Sequence, residues 1–133
     1  MKYRLLIFSL GLFALASCQV DAPKYNLGKG FYVTYVDLAR LRGVYYQKQN
    51  VNGNVSVKSV TFNDSLILVT GYRFTRNGNP DTSVQVYYGI VKDIYRQHPD
   101  QTYSDGYLDI NELQFRELSS RLRKSSSKEW TEW

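Results

Sequence analysis

Between residues 66 and 74 the chain alternates: Leu66, Leu68, Thr70, Tyr72 and Phe74 fall on one side of an extended segment, Ile67 and Val69 on the other. A helix, with 3.6 residues per turn, would scatter these side chains around its axis; a strand, with a period of two, collects them on two faces. Apolar residues on both faces at the start of the run predict a central strand covered above and below. Asn77-Gly78-Asn79-Pro80-Asp81 is a cluster of turn formers. Val84, Val86, Tyr88 and Ile90 then alternate with Gln85, Tyr87 and Gly89. Consecutive strands joined by short turns restrict the chain to a small antiparallel sheet or an open barrel.

Upstream, residues 30–34 are aromatic and β-branched and suit a first strand. Asp37 is placed to cap a short helical turn through Leu38 and Leu41, closed by Gly43. Asn52-Gly53 stands between two β-forming runs, a pairing that favours a two-residue turn. It predicts a hairpin joining residues 44–49 to residues 55–62. In the last third, Asp109 and Glu112 have capping-box spacing. Glu112/Arg116 and Glu117/Arg121 are acid-before-base pairs one turn apart, and Phe115, Leu118 and Leu122 share an apolar face. These predict a helix near residues 110–124 packed on the sheet, hence a β-rich α+β domain. A strand-like alternation of Leu108, Ile110, Leu113 and Phe115 is the competing reading.

The start of the chain has a different character. Lys2 and Arg4 precede an apolar run over residues 5–16, and small residues lead to Cys18, the single cysteine among 133 residues. Charged lead, short apolar segment and small-residue junction have the form of a secretory signal. Leu15-Ala16-Ser17-Cys18 resembles the lipobox of bacterial lipoproteins. The resemblance implies cleavage before Cys18, a covalent lipid on that residue, and attachment to the cell-envelope membrane. Gln19 stands where an aspartate would resemble the inner-membrane retention signal of enteric bacteria, which favours the outer membrane. The expected organisation is a signal peptide over 1–17, acylated Cys18 and a short tether over 18–29, one domain over 30–124, and a polar, Trp-bearing tail over 125–133. The tether assignment rests on Pro23 and Gly28 as breakers. A lone cysteine permits no intrachain disulfide, and a catalytic thiol would need a folded electropositive niche.

Composition narrows the partners. Loss of Lys2 and Arg4 lowers the net charge from +5 to +3, too mild for a nucleic-acid-binding face. Beyond the apolar start, no stretch approaches the ~20 residues of a membrane span.

Three features carry possible chemistry. Asp105-Gly106-Tyr107-Leu108-Asp109-Ile110-Asn111-Glu112 resembles the second half of an EF-hand loop. That resemblance implies calcium held by Asp105, Asp109 and Glu112, although Gln101 and Tyr103 stand where the first ligands belong. A turn followed by a capped helix explains the same residues without a metal. His98, the single histidine, is followed by Pro99 and Asp100, but no serine sits in a recognisable nucleophile motif. The adjacent pairs Tyr45-Tyr46 and Tyr87-Tyr88 would each direct one ring inward and one outward, offering a binding surface for a protein or a glycan. The reading that follows is a non-enzymatic interaction or accessory subunit of an envelope assembly with a protein partner there. Alternatives are a lipocalin-like binder of a small ligand or glycan, and a calcium-stabilised module. An inhibitor or immunity protein would look much like the first reading.

Overall fold

The computed structural model describes residues 23–36, 41–99 and 105–131. In chain order these form β1 (Tyr25–Gly28), β2 (Phe31–Tyr35), β3 (Arg42–Tyr46), β4 (Gln49–Asn50), β5 (Val55–Phe62), β6 (Leu66–Phe74), β7 (Pro80–Val91), α1 (Lys92–Gln97), β8 (Tyr107–Ile110), α2 (Glu112–Arg121) and β9 (Ser126–Glu129). All pairings are antiparallel. They make a four-stranded sheet in the order β1-β2-β3-β4 and a five-stranded sheet in the order β8-β7-β6-β5-β9. The chain is thus a β-rich α+β domain with a C-terminal helix on a sheet, as its periodicities require.

The two sheets face each other across a shared core. Leu27, Phe31, Val33, Val44 and Tyr46 project from the first sheet; Val55, Val57, Val60, Ile67, Val69, Tyr88 and Ile90 from the second; Tyr95 of α1 joins them. β6 lies between β5 and β7, so Leu68 and Thr70 are also buried on its other face. There α2 packs on β7, bringing Phe115 to 5.2 Å from Tyr87 between ring centroids. Phe115, Leu118 and Leu122 are half-buried, while Leu113 stays 74% exposed, so the helical periodicity prevails from Glu112 onward, whereas Leu108 and Ile110 of the competing strand reading do lie in a strand, β8.

Four expectations are corrected. First, Asn52-Gly53 does not close a hairpin. β3 pairs with β2 and β4, whereas β5 pairs with β6 and β9 in the other sheet. The Asn-Gly segment is a crossover, because both flanking strands need their apolar face in the same core and reach it from opposite sides. Second, residues 25–28 are not tether: β1 pairs with β2, and Leu27 is fully buried. Gly28, Lys29 and Gly30 all have positive φ (85°, 53° and 87°) and make the reversal between those strands. Third, the polar tail contributes β9, whose side chains are all exposed while its backbone pairs with β5. A serine-rich segment can occupy an edge strand because the ladder uses main-chain groups alone. Fourth, Gly43 lies inside β3 opposite Thr34; Asp37 and Leu38 lie outside the described residues.

One side chain ties the elements together without any signal in the periodicity. Lys92, at the start of α1, is 1% exposed. Its ammonium donates to the Leu27 carbonyl of β1 and to the Asn63 carbonyl of the β5–β6 turn (2.5 Å), above the Phe62 ring. Lys29 reaches Asp93 at 2.9 Å, an exposed ion pair that adds little by itself.

Candidate functional site

A cleft of about 700 Å³ opens where the crossover leaves the first sheet and β7 meets β8. Asn52 and Asn54 of the crossover border it on one side. Arg73 at the end of β6, Gln85 and Tyr88 of β7, and Tyr107 and Asp109 of β8 supply the rest of its wall, with Glu112 at its edge. This volume is within the range of small-ligand sites. Amides, a guanidinium and carboxylates dominate the lining, so it suits a polar ligand or a peptide segment more than a lipid tail.

Packing and pairing position these groups. Tyr88↔Asp109 and Ile90↔Tyr107 are cross-strand partners, which places Tyr107, Asp109 and Tyr88 on one face. The rings of Tyr88 and Tyr107 stack with centroids 5.3 Å apart and planes 22° from parallel. Asn52 Nδ2 donates to Tyr107 Oη at 2.7 Å, fastening the crossover to β8. Tyr88 is 1% exposed, and its hydroxyl has no hydrogen-bond partner among the described residues. Burial, followed by the neighbouring Tyr107 and Tyr95 hydroxyls, raises its pKa well above the ordinary tyrosine value. An unmatched buried hydroxyl costs stability, about 1–3 kcal/mol. Tyr88→Phe keeps the stack and removes the cost, so thermal unfolding is expected to shift upward by roughly 1 kcal/mol of stability. A loss of stability would show that the hydroxyl has a partner.

The residues of the calcium reading lie in different elements. Asp109 pairs within β8, Glu112 bonds Arg116 at 2.5 Å in the first turn of α2, and Asp105 is exposed ahead of β8. Among the described residues no three acidic, histidine or cysteine side chains form a metal-binding group. Gly106 answers to packing: a Cβ there would lie 2.7 Å from Tyr95 Cα. Asp109 does not cap α2 either. Asn111 does, its side chain accepting from Gln114 N (2.9 Å) while Gln114 Oε1 accepts from Asn111 N (3.0 Å).

The tyrosine pairs split between core and surface but make no common platform. Tyr46 and Tyr88 are buried, whereas Tyr45 and Tyr87 are half-buried on different sheets. Tyr45 stacks on Tyr32 at 5.7 Å, and Tyr87 lies beneath Phe115. A lipocalin-like cavity would need the late segment as a strand; residues Glu112–Arg121 are helical, and apolar side chains fill the space between the sheets. His98 is exposed at the end of α1, its backbone N–H donating to Tyr95 O; Asp100 lies outside the described residues. Cys18 and Trp133 lie outside them as well. Arg73, Asn52 and Tyr107 were not anticipated as neighbours. No local pattern marks them, since two sheets and a crossover bring them together.

The domain therefore belongs to the class of two-sheet antiparallel β proteins carrying a C-terminal helix, with a polar cleft at one end. No family model, curated protein or solved structure matches it. Among the described residues no helix is long and apolar enough to cross a membrane.

Proposed function

We propose that the protein is a lipid-anchored component of the bacterial cell envelope that acts by binding, as an accessory or interaction subunit, with the cleft beside β7 and β8 as its recognition site. The observation that carries the address is Leu15-Ala16-Ser17-Cys18 after a charged lead and an apolar run. The cleft supports the binding role. It brings opposite charges, amides and aromatic rings to one concave surface, a mixture that orients a polar partner through hydrogen bonds. Only a few residues separate Cys18 from Pro23, so a partner must approach the membrane closely. Gln19, rather than an aspartate, follows Cys18, which favours the outer membrane.

The anchor is tested by Cys18→Ser in cells fed an alkyne-labelled fatty acid. The wild-type chain is expected to take up label and migrate as a processed form, and the variant to remain unlabelled and unprocessed. Label retained in the variant overturns the assignment.

A further inference from the structure

The chain enters the domain at a spot unlike the rest of its surface. Thr34 Oγ1 donates to the Pro23 carbonyl at 3.0 Å, pinning the entry point to β2. Beside it is a hollow of about 220 Å³ whose wall includes Lys24, Tyr25, Tyr35, Arg42 and Trp130. Trp130 comes from the far end of the chain. Its backbone N–H donates to Lys58 O at 2.9 Å, and its ring meets Tyr25 edge-on at 5.6 Å. The buried Arg42 guanidinium lies 5.6 Å from both the Tyr35 and the Trp130 rings, and Lys128 Nζ lies 5.9 Å from the Trp130 ring. Tyr25, Tyr35 and Trp130 are half-exposed; Lys24 and Lys128 are exposed.

We propose that this face, formed by Lys24, Tyr25, Tyr35, Lys128 and Trp130, lies against an anionic phospholipid bilayer and sets the orientation of the domain. The proposal rests on Cys18 as the point of membrane attachment. Two independent arguments support it. Four residues separate Cys18 from Pro23, five Cα–Cα steps and a contour of at most ~18 Å, so the surface around Pro23 stays closest to the anchor. Its chemistry also suits that position. Tryptophan and tyrosine rings settle at the headgroup level, where an apolar body and a polar tip are both accommodated, and lysines reach from there to phosphates. Charge pairing distinguishes it from the helical face. Arg116 and Arg121 on α2 are ion-paired with Glu112 and Glu117, at 2.5 and 2.7 Å. Lys24 and Lys128 instead face the Tyr32 and Trp130 rings and leave their positive charge available to a surface.

The test uses the chain from Cys18 onward with Trp133→Phe, leaving Trp130 as the single tryptophan. It is coupled through Cys18, the single cysteine, to maleimide-bearing lipid in vesicles of phosphatidylcholine alone or with phosphatidylglycerol. Brominated acyl chains then report the depth of Trp130. Strong quenching is expected in the anionic vesicles and weak quenching in the zwitterionic ones. Lys24→Gln together with Lys128→Gln, both at exposed positions, is expected to lower the contact equilibrium by about thirtyfold, at ~1 kcal/mol for each lysine. Trp130 unquenched in anionic vesicles, or equally quenched in both, overturns the proposal, as does indifference to the lysine changes. Because the coupling is chemical, failure here is distinct from failure of acylation in cells.

Discussion

Gly71→Ala is expected to destabilise the domain by about 3 kcal/mol, a fall in melting temperature of roughly 10 °C for a domain of this size. Gly71 sits in β6, the middle strand of the larger sheet, opposite Val57. A Cβ at this position would stand 2.6 Å from Val55 Cγ1, and the Ser56 carbonyl oxygen is closer still. The obstacle is backbone in a paired strand, which cannot move without breaking its ladder. Alanine lowers the entropy of the unfolded chain, but that gain is below about 1 kcal/mol and does not offset the clash. Gly53→Ala is the control: nothing lies within 4 Å of its Cβ position, and it should leave the melting temperature nearly unchanged. A Gly71→Ala protein that melts with the wild type would mean that β5 and β6 are not registered as described.

Lys92→Met is expected to cost about 3 kcal/mol, read from urea unfolding. Methionine preserves the length and apolar stem of the side chain but leaves the carbonyls of Leu27 and Asn63 without their donor. Each loss is worth about 1–3 kcal/mol, partly offset because a buried charge is no longer taken from water. The damage should concentrate at β1, which would exchange its amide hydrogens first.

The alkaline limb of stability has contributions of opposite sign. Burial, with Lys29 acting in the same direction, lowers the Lys92 pKa from its ordinary 10.5, against the pull of Asp64 and Asp93. Between the lowered and ordinary values the unfolded chain binds the extra proton, so this group makes stability rise with pH. Tyr88 and Tyr95 act oppositely: burial raises both above 10.0, so the unfolded state gives up protons first and stability falls above about pH 10. Unfolding measured from pH 8 to 11 should therefore show Tyr88→Phe losing less stability than wild type above pH 10. Lys92→Met should lack the rising component below it.

Much of the architecture was legible because it depends on period and local chemistry. The alternation over residues 66–74 specified a central strand, and β6 is flanked on both sides. The Asn77–Asp81 cluster turned the chain into β7, and the spacing of Phe115, Leu118 and Leu122 specified the face that α2 lays on the sheet. Local rules failed where a residue's role is set by something distant in sequence. Asn52-Gly53 satisfies hairpin chemistry, but the choice between pairing and crossing depends on which sheet buries Val44 and which buries Val55. Asp105, Asp109 and Glu112 are close in sequence, but the pairing of Asp109 with Tyr88 and the ion pair of Glu112 with Arg116 are set by partners outside that segment.

By itself the sequence determined the strands β2, β3, β5, β6 and β7, the turn between β6 and β7 and the late helix, since each follows from short-range periodicity or a contiguous motif. Tertiary structure alone decided that Leu27 and the serine-rich 126–129 segment join sheets, that Lys92 clasps β1 to the β5–β6 turn, and that Tyr88, Tyr107 and Asn52 share a cleft. It also carried Trp130 to the point where the chain enters the domain. Backbone pairing and buried polar contacts depend on which segments meet in space, and no local pattern of side chains encodes that meeting.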